Sequence, residues 1–550
     1  MHHRSLISII RPRRLGALTL PVLAALTGAC GDDSGSDTAA ASGGYNSAGS
    51  DTTPGSGSAS DSDAATTGWD PSGGATTGAG GTSGAEPPPP DDSGDSPETG
   101  SSGGETSGTT GEPTCDEQTP VSLYLSPDDS NSTASPVLVR EAVLSGWGDL
   151  NFVPIRPWEF LNYYSFVYEA AKPGMITVTP EIARIEGAPE GEYVVQIGVA
   201  GEAIANADRP LLNVTLVLDE SGSMQGHPIE MEREVCRQIA ASLRAGDVVS
   251  MVGWDTVNAV KLSGHKVVGP SDPTIVGECD GLEAGGGTDL NGGLTAGYEL
   301  AQQHFDASRI NRVVLISDGG ANAGVTDIDL IAGGAGGQDE DGIYLVGVGV
   351  GTADTYNDAL MDTVTDVGRG ASLFIPSVSE AKRMFGERFV QTMMVAARDV
   401  RVRLDLPPGF EIVKFSGEEY SADPTEIEPQ HLAPNDAMVF HQTVSTCAPA
   451  LVDDAASFTV AVRWKDAVTF EPRETEVTRP IKEVLAGETP MLKKGAAVFE
   501  YATALKAYRD APAPTTLDPA FAALGAAEAV LPGDPDLAEI RKILETLAGG

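Results

Sequence analysis

Five short apolar runs recur between residues 211 and 375: LLNVTLVL (211–218), DVVSMVGW (247–254), RVVLISD (312–318), GIYLVGVGV (342–350) and ASLFI (371–375). Each is nearly continuous in apolar residues, the pattern of a strand buried on both faces. Between them the period changes. HPIEMEREVCRQIAASLRAG (227–246) sets Met231, Val235, Ile239 and Leu243 at steps of four with Pro228 near its start, and LNGGLTAGYELAQQHF (290–305) also reads as a helix. Strands that alternate with helices predict an α/β fold, a doubly wound and mostly parallel sheet with both faces covered.

The flanks have a different grammar. VSLYL (121–125) and GEYVVQIGVAG (191–201) read as strands, while SPVLVREAVLSG (135–146) and RPWEFLNYYSFVY (156–168) read as partly helical, with Trp158, Phe160, Leu161, Tyr164 and Phe166 as core candidates. After residue 397, DVRVRLDLPPGFEIVKFSG, AMVFHQTVSTC and ASFTVAVRWKD read as strands without helices. MLKKGAAVFEYATALKAYRD, PAFAALGAAEAVL and PDLAEIRKILETLAGG then read as helices. The pattern divides the chain into a signal segment (1–30), a tether (31–116), an N-terminal flanking region (117–205), the α/β domain (206–396), a β-rich domain (397–487) and a C-terminal helical region (488–550). The β-segments on either side of the α/β domain could form one β-structure with the α/β domain inserted in it. Pairing between 191–201 and a segment of 400–475 tests that idea.

Composition changes the picture mainly at the N-terminus. Arg4, Arg11, Arg13 and Arg14 precede the apolar stretch LGALTLPVLAALTGA (15–29), which ends at Cys30 and is too short for a comfortable membrane span. This resembles a bacterial lipoprotein signal, which implies lipidation of Cys30 and a chain anchored outside the cytoplasm in the cell envelope, touching the membrane through that lipid only. Residues 31–114 contain no Lys, Arg, Leu, Ile, Val or Met. A segment with nothing to bury cannot offset the entropy of ordering, so it predicts a flexible acidic tether. The formal net charge of −44 disfavours nucleic acid as a partner. Four further cysteines, Cys115, Cys236, Cys279 and Cys447, permit three pairings, and sequence does not choose among them. Cys115 and Cys447 flank the β-rich segments and form the favoured pair. Cys236 and Cys279 fall in predicted helices, where buried free thiols are expected.

Ligands of doubly wound sheets sit beyond the C-terminal ends of the strands. The oxygen-bearing residues at those ends are Asp219, Ser221 and Ser223 after the first strand, Asp318 at the end of RVVLISD, and Thr288 in the glycine-rich GGGTDL before a helix. Oxygen donors suit a hard divalent cation, Mg²⁺ first, with Mn²⁺ or Ca²⁺ as alternatives, rather than zinc or copper. Each residue alone would more often be a helix cap. A catalytic serine needs a base and an oxyanion hole, and neither Ser221 nor Ser223 lies in a G-x-S-x-G motif. No H-E-x-x-H zinc motif is present.

DESGS (219–223), the later GGTDL and SDG at the end of a buried strand together resemble the metal-ion-dependent adhesion site of the von Willebrand factor type A family. The resemblance covers about residues 205–395. It implies that Asp219, Ser221, Ser223, Thr288 and Asp318 hold a divalent cation, and that an Asp or Glu of a protein ligand completes its coordination. EFLNYYSFVYEA and the β-then-helical tail resemble a bacterial subgroup of exported von Willebrand A proteins, some of which carry a calcium-activated chloride channel-like label; that label implies no channel activity here. The expected function is a metal-dependent binding protein of the cell envelope, not an enzyme. The alternatives are a metal-dependent hydrolase and a structural envelope protein with a vestigial site.

Overall fold

The computed structural model describes residues 115–549 except 117, 129–130, 146–149, 152, 186, 321–341, 354, 368–369, 451 and 453–455. The predicted signal, Cys30 and residues 31–114 of the predicted tether lie outside the described residues. Ahead of the α/β unit come β1 (Val121–Ser126), α1 (Ala134–Leu144), α2 (Pro157–Tyr163), β2 (Thr177–Arg184) and β3 (Glu192–Ala200). The α/β unit holds β4 (Leu212–Asp219), α3 (His227–Ser242), β5 (Val248–Trp254), β6 (Asn258–Lys266), α4 (Pro273–Asp280), α5 (Leu290–Gln303), β7 (Ile310–Ser317), β8 (Ile343–Val350), α6 (Asp358–Val367) and β9 (Ala371–Ile375). It closes with α7 (Val378–Lys382), a wider π-type turn (Arg383–Glu387) and α8 (Phe389–Met393). Beyond it lie β10 (Ala397–Leu406), β11 (Phe410–Phe415), β12 (Glu419–Ser421), β13 (Gln430–Leu432), β14 (Ala437–Thr446), β15 (Ser457–Asp466) and β16 (Pro472–Pro480). The helices α9 (Ile481–Leu485), α10 (Pro490–Asp510), α11 (Asp518–Val530) and α12 (Pro535–Gly549) follow.

The central sheet has the order β6-β5-β4-β7-β8-β9. All of its pairs are parallel except β5–β6. Leu212, Val214, Leu216 and Leu218 point into one core with Val235 and Ile239 of α3. Val217 points into the opposite core with Leu294 and Tyr298 of α5. This double burial is why β4 reads as an unbroken apolar run. The edge strand β6 was not predicted: NAVKLSGHK is mostly exposed, has no buried face to impose a period, and its register with β5 is broken twice.

Two further sheets pack face to face. One has the order β12-β1-β10-β15-β16, with β13 also on β10, and the other β11-β14-β3-β2. Alternation along β10 sends Val400, Val402, Leu404 and Leu406 inward, where they meet Tyr193, Val195 and Phe440 of the second sheet. β3 pairs with β14 along its whole length, and β1 pairs with β10. Strands from before and after the α/β unit therefore share both sheets, and the pairing of 191–201 with a segment of 400–475 is present. The helices α10 to α12 join α1 and α2 over one face of the central sheet. Phe160, Leu161 and Tyr164 are buried as expected, whereas Trp158 and Phe166 are only half-buried. Among the described residues no helix is long and apolar enough to cross a membrane.

Cys115 and Cys447 form a disulfide, as favoured from sequence. Cys236 and Cys279 form a second one, which corrects the expectation of two buried free thiols. Helical period places each of these cysteines on a buried face, but only the packing of α3 on α4 brings their Cα atoms to 5.7 Å, within bridging range.

His441 on β14 is buried beneath α10, and its Nδ1 lies 2.8 Å from Gln196 Oε1, the geometry of a neutral ring that donates to an amide oxygen. Burial, with the nearby Lys414 charge, pushes this imidazole down to about 3. The unfolded chain then binds a proton that the folded chain refuses. The stability this site contributes is complete above about pH 6.5 and is lost as pH falls towards 3. Between pH 7.5 and pH 5 the loss from this site is about 2 kcal/mol. Urea unfolding of wild type and His441→Asn at the two pH values is expected to show it as the difference between the two proteins' pH dependences, in which the titration of every other group cancels.

Candidate metal centre

The chain runs from β4 through α3 to β5 on one side, and returns through α5 to β7 on the other side of β4. The switch point between β4 and β7 is where such a sheet opens a crevice at its C-terminal edge. Asp219 ends β4, and Asp318 follows directly on β7. Ser221 and Ser223 occupy the turn into α3, and Thr288 stands just before α5. Asp219, Ser221, Thr288 and Asp318 are buried, while Ser223 faces outward.

The side chains converge. Ser221 Oγ and Ser223 Oγ are 3.0 Å apart, and Ser223 Oγ lies 3.3 Å from Asp318 Oδ1. The backbone of Gly320 marks the space between them. A Cβ added there would stand 3.2 Å from Asp318 Oδ1, 3.3 Å from Ser223 Oγ and 3.5 Å from Thr288 Cγ2. Thr288 is therefore brought to the same space as Ser223 and Asp318. Two loops are joined to achieve this: Gly285 N donates to Glu220 O at 2.7 Å, and Gly222 N to Gly286 O at 3.3 Å. Gly286 has φ +77°, and a side chain there would strike Asp255 Oδ2 at 2.6 Å, so only glycine lets the loop lie so close.

Two supporting residues escaped the sequence reading. Ser317 Oγ donates to Asp219 Oδ2 at 2.6 Å, while Ser221 N donates to Oδ1 at 2.9 Å. Together they fix the plane of the Asp219 carboxylate. Glu232, fully buried on α3, accepts from Asp219 N at 2.8 Å. Its signal was present in the pattern, because it interrupts the stripe Ile229, Val235, Cys236 and Ile239 with a charged residue. Glu220 is bound to Lys261 at 2.8 Å, and Asp289 caps α5 by accepting from Gly292 N. His227 is exposed and bonded to Pro376 O at 2.8 Å. The glycines of GVGVG serve packing: a Cβ on Gly349 would overlap the Tyr356 ring at 2.0 Å.

Burial pushes the Asp219 carboxyl up to about 7, against the pull of hydrogen bonds from Ser221 and Ser317, and the neighbouring Asp318 adds to the rise. Burial and then the Asp219 charge hold Glu232 well above the usual carboxylate range. Carboxylates gathered in so dry a space match a site that positive charge would complete. Among the described residues no group of three or more His, Cys, Asp or Glu is placed to hold a metal. A cation at this edge must accordingly rely on hydroxyls alongside the two carboxylates.

Residues 214–321 match the sequence model of the family described as von Willebrand factor type A domain. The uncharacterized protein YfbK of Escherichia coli (strain K12) is 26% identical over 264 residues, which cover 46% of this chain and 45% of YfbK. The uncharacterized protein sll0103 of Synechocystis sp. is 27% identical over 222 residues, 40% of this chain and 51% of its own length. The chain thus spans about half the length of these curated relatives. A solved structure, a von Willebrand factor type A protein from Catenulispora acidiphila, covers 67% of this chain and 88% of its own, with 17% identity and a TM-score of 0.42. The likeness of this chain to the von Willebrand factor type A family thus lies in residues 214–321, the segment from β4 past the end of β7.

Proposed function

We propose that this is an extracytoplasmic binding protein whose α/β domain holds a divalent cation, Mg²⁺ in the first place, and uses it to capture a protein ligand. The observation that carries the reading is the convergence of Asp219, Ser221, Ser223, Thr288 and Asp318 on one space at the switch point. Asp219 and Asp318 supply charge, the three hydroxyls supply neutral donors, and Ser317 with Ser221 N keeps the Asp219 carboxylate oriented. When bound, the cation would supply an electrophilic position for an Asp or Glu of the partner. The exposure of Ser223 supports a coordination position open to a partner.

Titration of Mg²⁺ into the purified protein by calorimetry tests the reading; no saturable heat with Mg²⁺ or Mn²⁺ would sink it. Ser317→Ala, which removes an orienting donor and no proposed ligand, is expected to weaken Mg²⁺ binding about tenfold. Retention of an envelope protein on the immobilised domain in Mg²⁺, and its release by EDTA, tests the partner. Anchoring through a lipid on Cys30 is part of the same proposal. The two disulfides support an oxidising compartment. Incorporation of labelled fatty acid, abolished by Cys30→Ala, is the expected result.

A further inference from the structure

We infer that the Cys236–Cys279 bridge is a positioning device for the cation site: it fixes where Thr288 stands relative to Asp219. The inference rests on the cation reading above. Thr288 sits at the end of residues 281–289, a stretch without regular structure that includes Gly285, Gly286 and Gly287. A loop so rich in glycine has the greatest backbone freedom to lose and places a side chain poorly unless it is tied down.

Further along, Glu283 N and Gly285 N donate to Glu220, Gly286 O accepts from Gly222 N, Gly287 N donates to Thr256 Oγ1 and Asp289 N to Asp255 O; at its root the loop is tied to one face of α3. Cys236 is bridged to Cys279 in the last turn of α4, immediately before the loop begins. Arg237 Nε donates to Asp280 Oδ1 at 2.7 Å, and the Arg233 guanidinium donates to Leu282 O, its Nε at 3.1 Å. The same helix reaches the other half of the site through Glu232, which accepts from Asp219 N at 2.8 Å. α3 is thus the common frame. Its buried Glu232 holds the Asp219 amide, and its half-buried Arg233 and Arg237 with the buried Cys236 hold the root of the Thr288 loop. The disulfide is the one covalent tie in this set, and both of its cysteines are fully buried. The other bridge, Cys115–Cys447, is built into the β-rich part and touches neither loop.

The experiment compares four proteins by Mg²⁺ calorimetry and thermal unfolding: wild type, Cys236→Ala/Cys279→Val, Cys115→Ser/Cys447→Ser, and Asp219→Ala. The expected result is Mg²⁺ affinity about tenfold weaker in Cys236→Ala/Cys279→Val, unchanged in Cys115→Ser/Cys447→Ser, and absent in Asp219→Ala. Both cysteine pairs should lower Tm, so a loss of affinity confined to the first separates positioning from general destabilisation. Arg233→Met, which keeps the apolar stem and removes the tie to Leu282 O, covers the case in which the cysteine variant does not fold; it should weaken Mg²⁺ binding in the same direction. Wild-type affinity in the folded Cys236/Cys279 variant, or equal losses in both cysteine pairs, overturns the inference while the cation reading stands. Binding by wild type and Asp219→Ala that cannot be told apart overturns the cation reading, and the inference with it.

Discussion

Asp219→Ala is expected to abolish measurable Mg²⁺ binding, a loss of more than about a hundredfold, while leaving a folded protein. Substitution of residues that merely orient a ligand costs 10–100-fold in metal affinity, so loss of a buried charged ligand lies beyond the upper end of that range. Asp219 is the most constrained donor of the set. Both carboxylate oxygens accept hydrogen bonds, its amide is held by Glu232, and its strand is paired on both sides. Retention of the fold follows from opposing terms. The change orphans Ser317 Oγ and Ser221 N, but it also removes a carboxylate that burial disfavours enough to raise it to about 7. Thermal unfolding provides the second readout. Mg²⁺ at a hundred times its Kd should stabilise the wild type by about 2.7 kcal/mol and the variant not at all. A wild-type titration curve from Asp219→Ala would exclude this carboxylate as a ligand.

The largest stability effect is expected at the opposite end of the sheet. Arg209 and Asp247 form an ion pair with no exposure on either side chain, at 2.6 Å. The Asp247 carboxylate also accepts from Leu212 N at 2.9 Å and Arg244 N at 2.7 Å, and Arg209 reaches Asn206 Oδ1 and Pro210 O. This knot fastens the chain where it enters β4 to the start of β5. Asp247→Ala leaves a guanidinium buried without its counter-ion and strips two backbone donors of their acceptor, at a cost of about 3–5 kcal/mol. Arg209→Met with Asp247→Leu removes both charges together and is expected to cost less than Asp247→Ala alone, since the penalty lies in the orphaned partner. Urea unfolding of the three proteins measures this. Mg²⁺ affinity should be unchanged in every variant that folds, because the knot lies at the N-terminal edge of the strands and the candidate site at the other. A double variant as unstable as Asp247→Ala would show that the pair itself is strongly stabilising.

The parts of the fold that were legible are those whose environment is uniform along the element. β4, β5, β7 and β8 are covered on both faces, so nearly every residue had to be apolar, and α3 shows a stripe because only one side meets the sheet. β6 was invisible because an exposed edge imposes no period. The candidate site was legible only as a set: Asp219, Ser221, Ser223, Thr288 and Asp318 each close a strand or open a helix, where one alone would more often be a cap. Ser317 and Glu232 were passed over because their role is to hold Asp219, and neighbours in space leave no mark on sequence spacing.

The sequence by itself determined the alternation of buried strands and helices, hence the doubly wound sheet and the oxygen-bearing residues at its C-terminal edge. Those features follow from local rules: side-chain period, burial and turn chemistry act over a few residues. Only the tertiary structure decided that strands before and after the α/β unit share two sheets, that Cys236 meets Cys279, and that Thr288 reaches the space between Ser223 and Asp318. Each of these joins segments far apart in the chain. Partners of that kind are chosen by the packing of whole elements, to which many residues contribute and which no short stretch records.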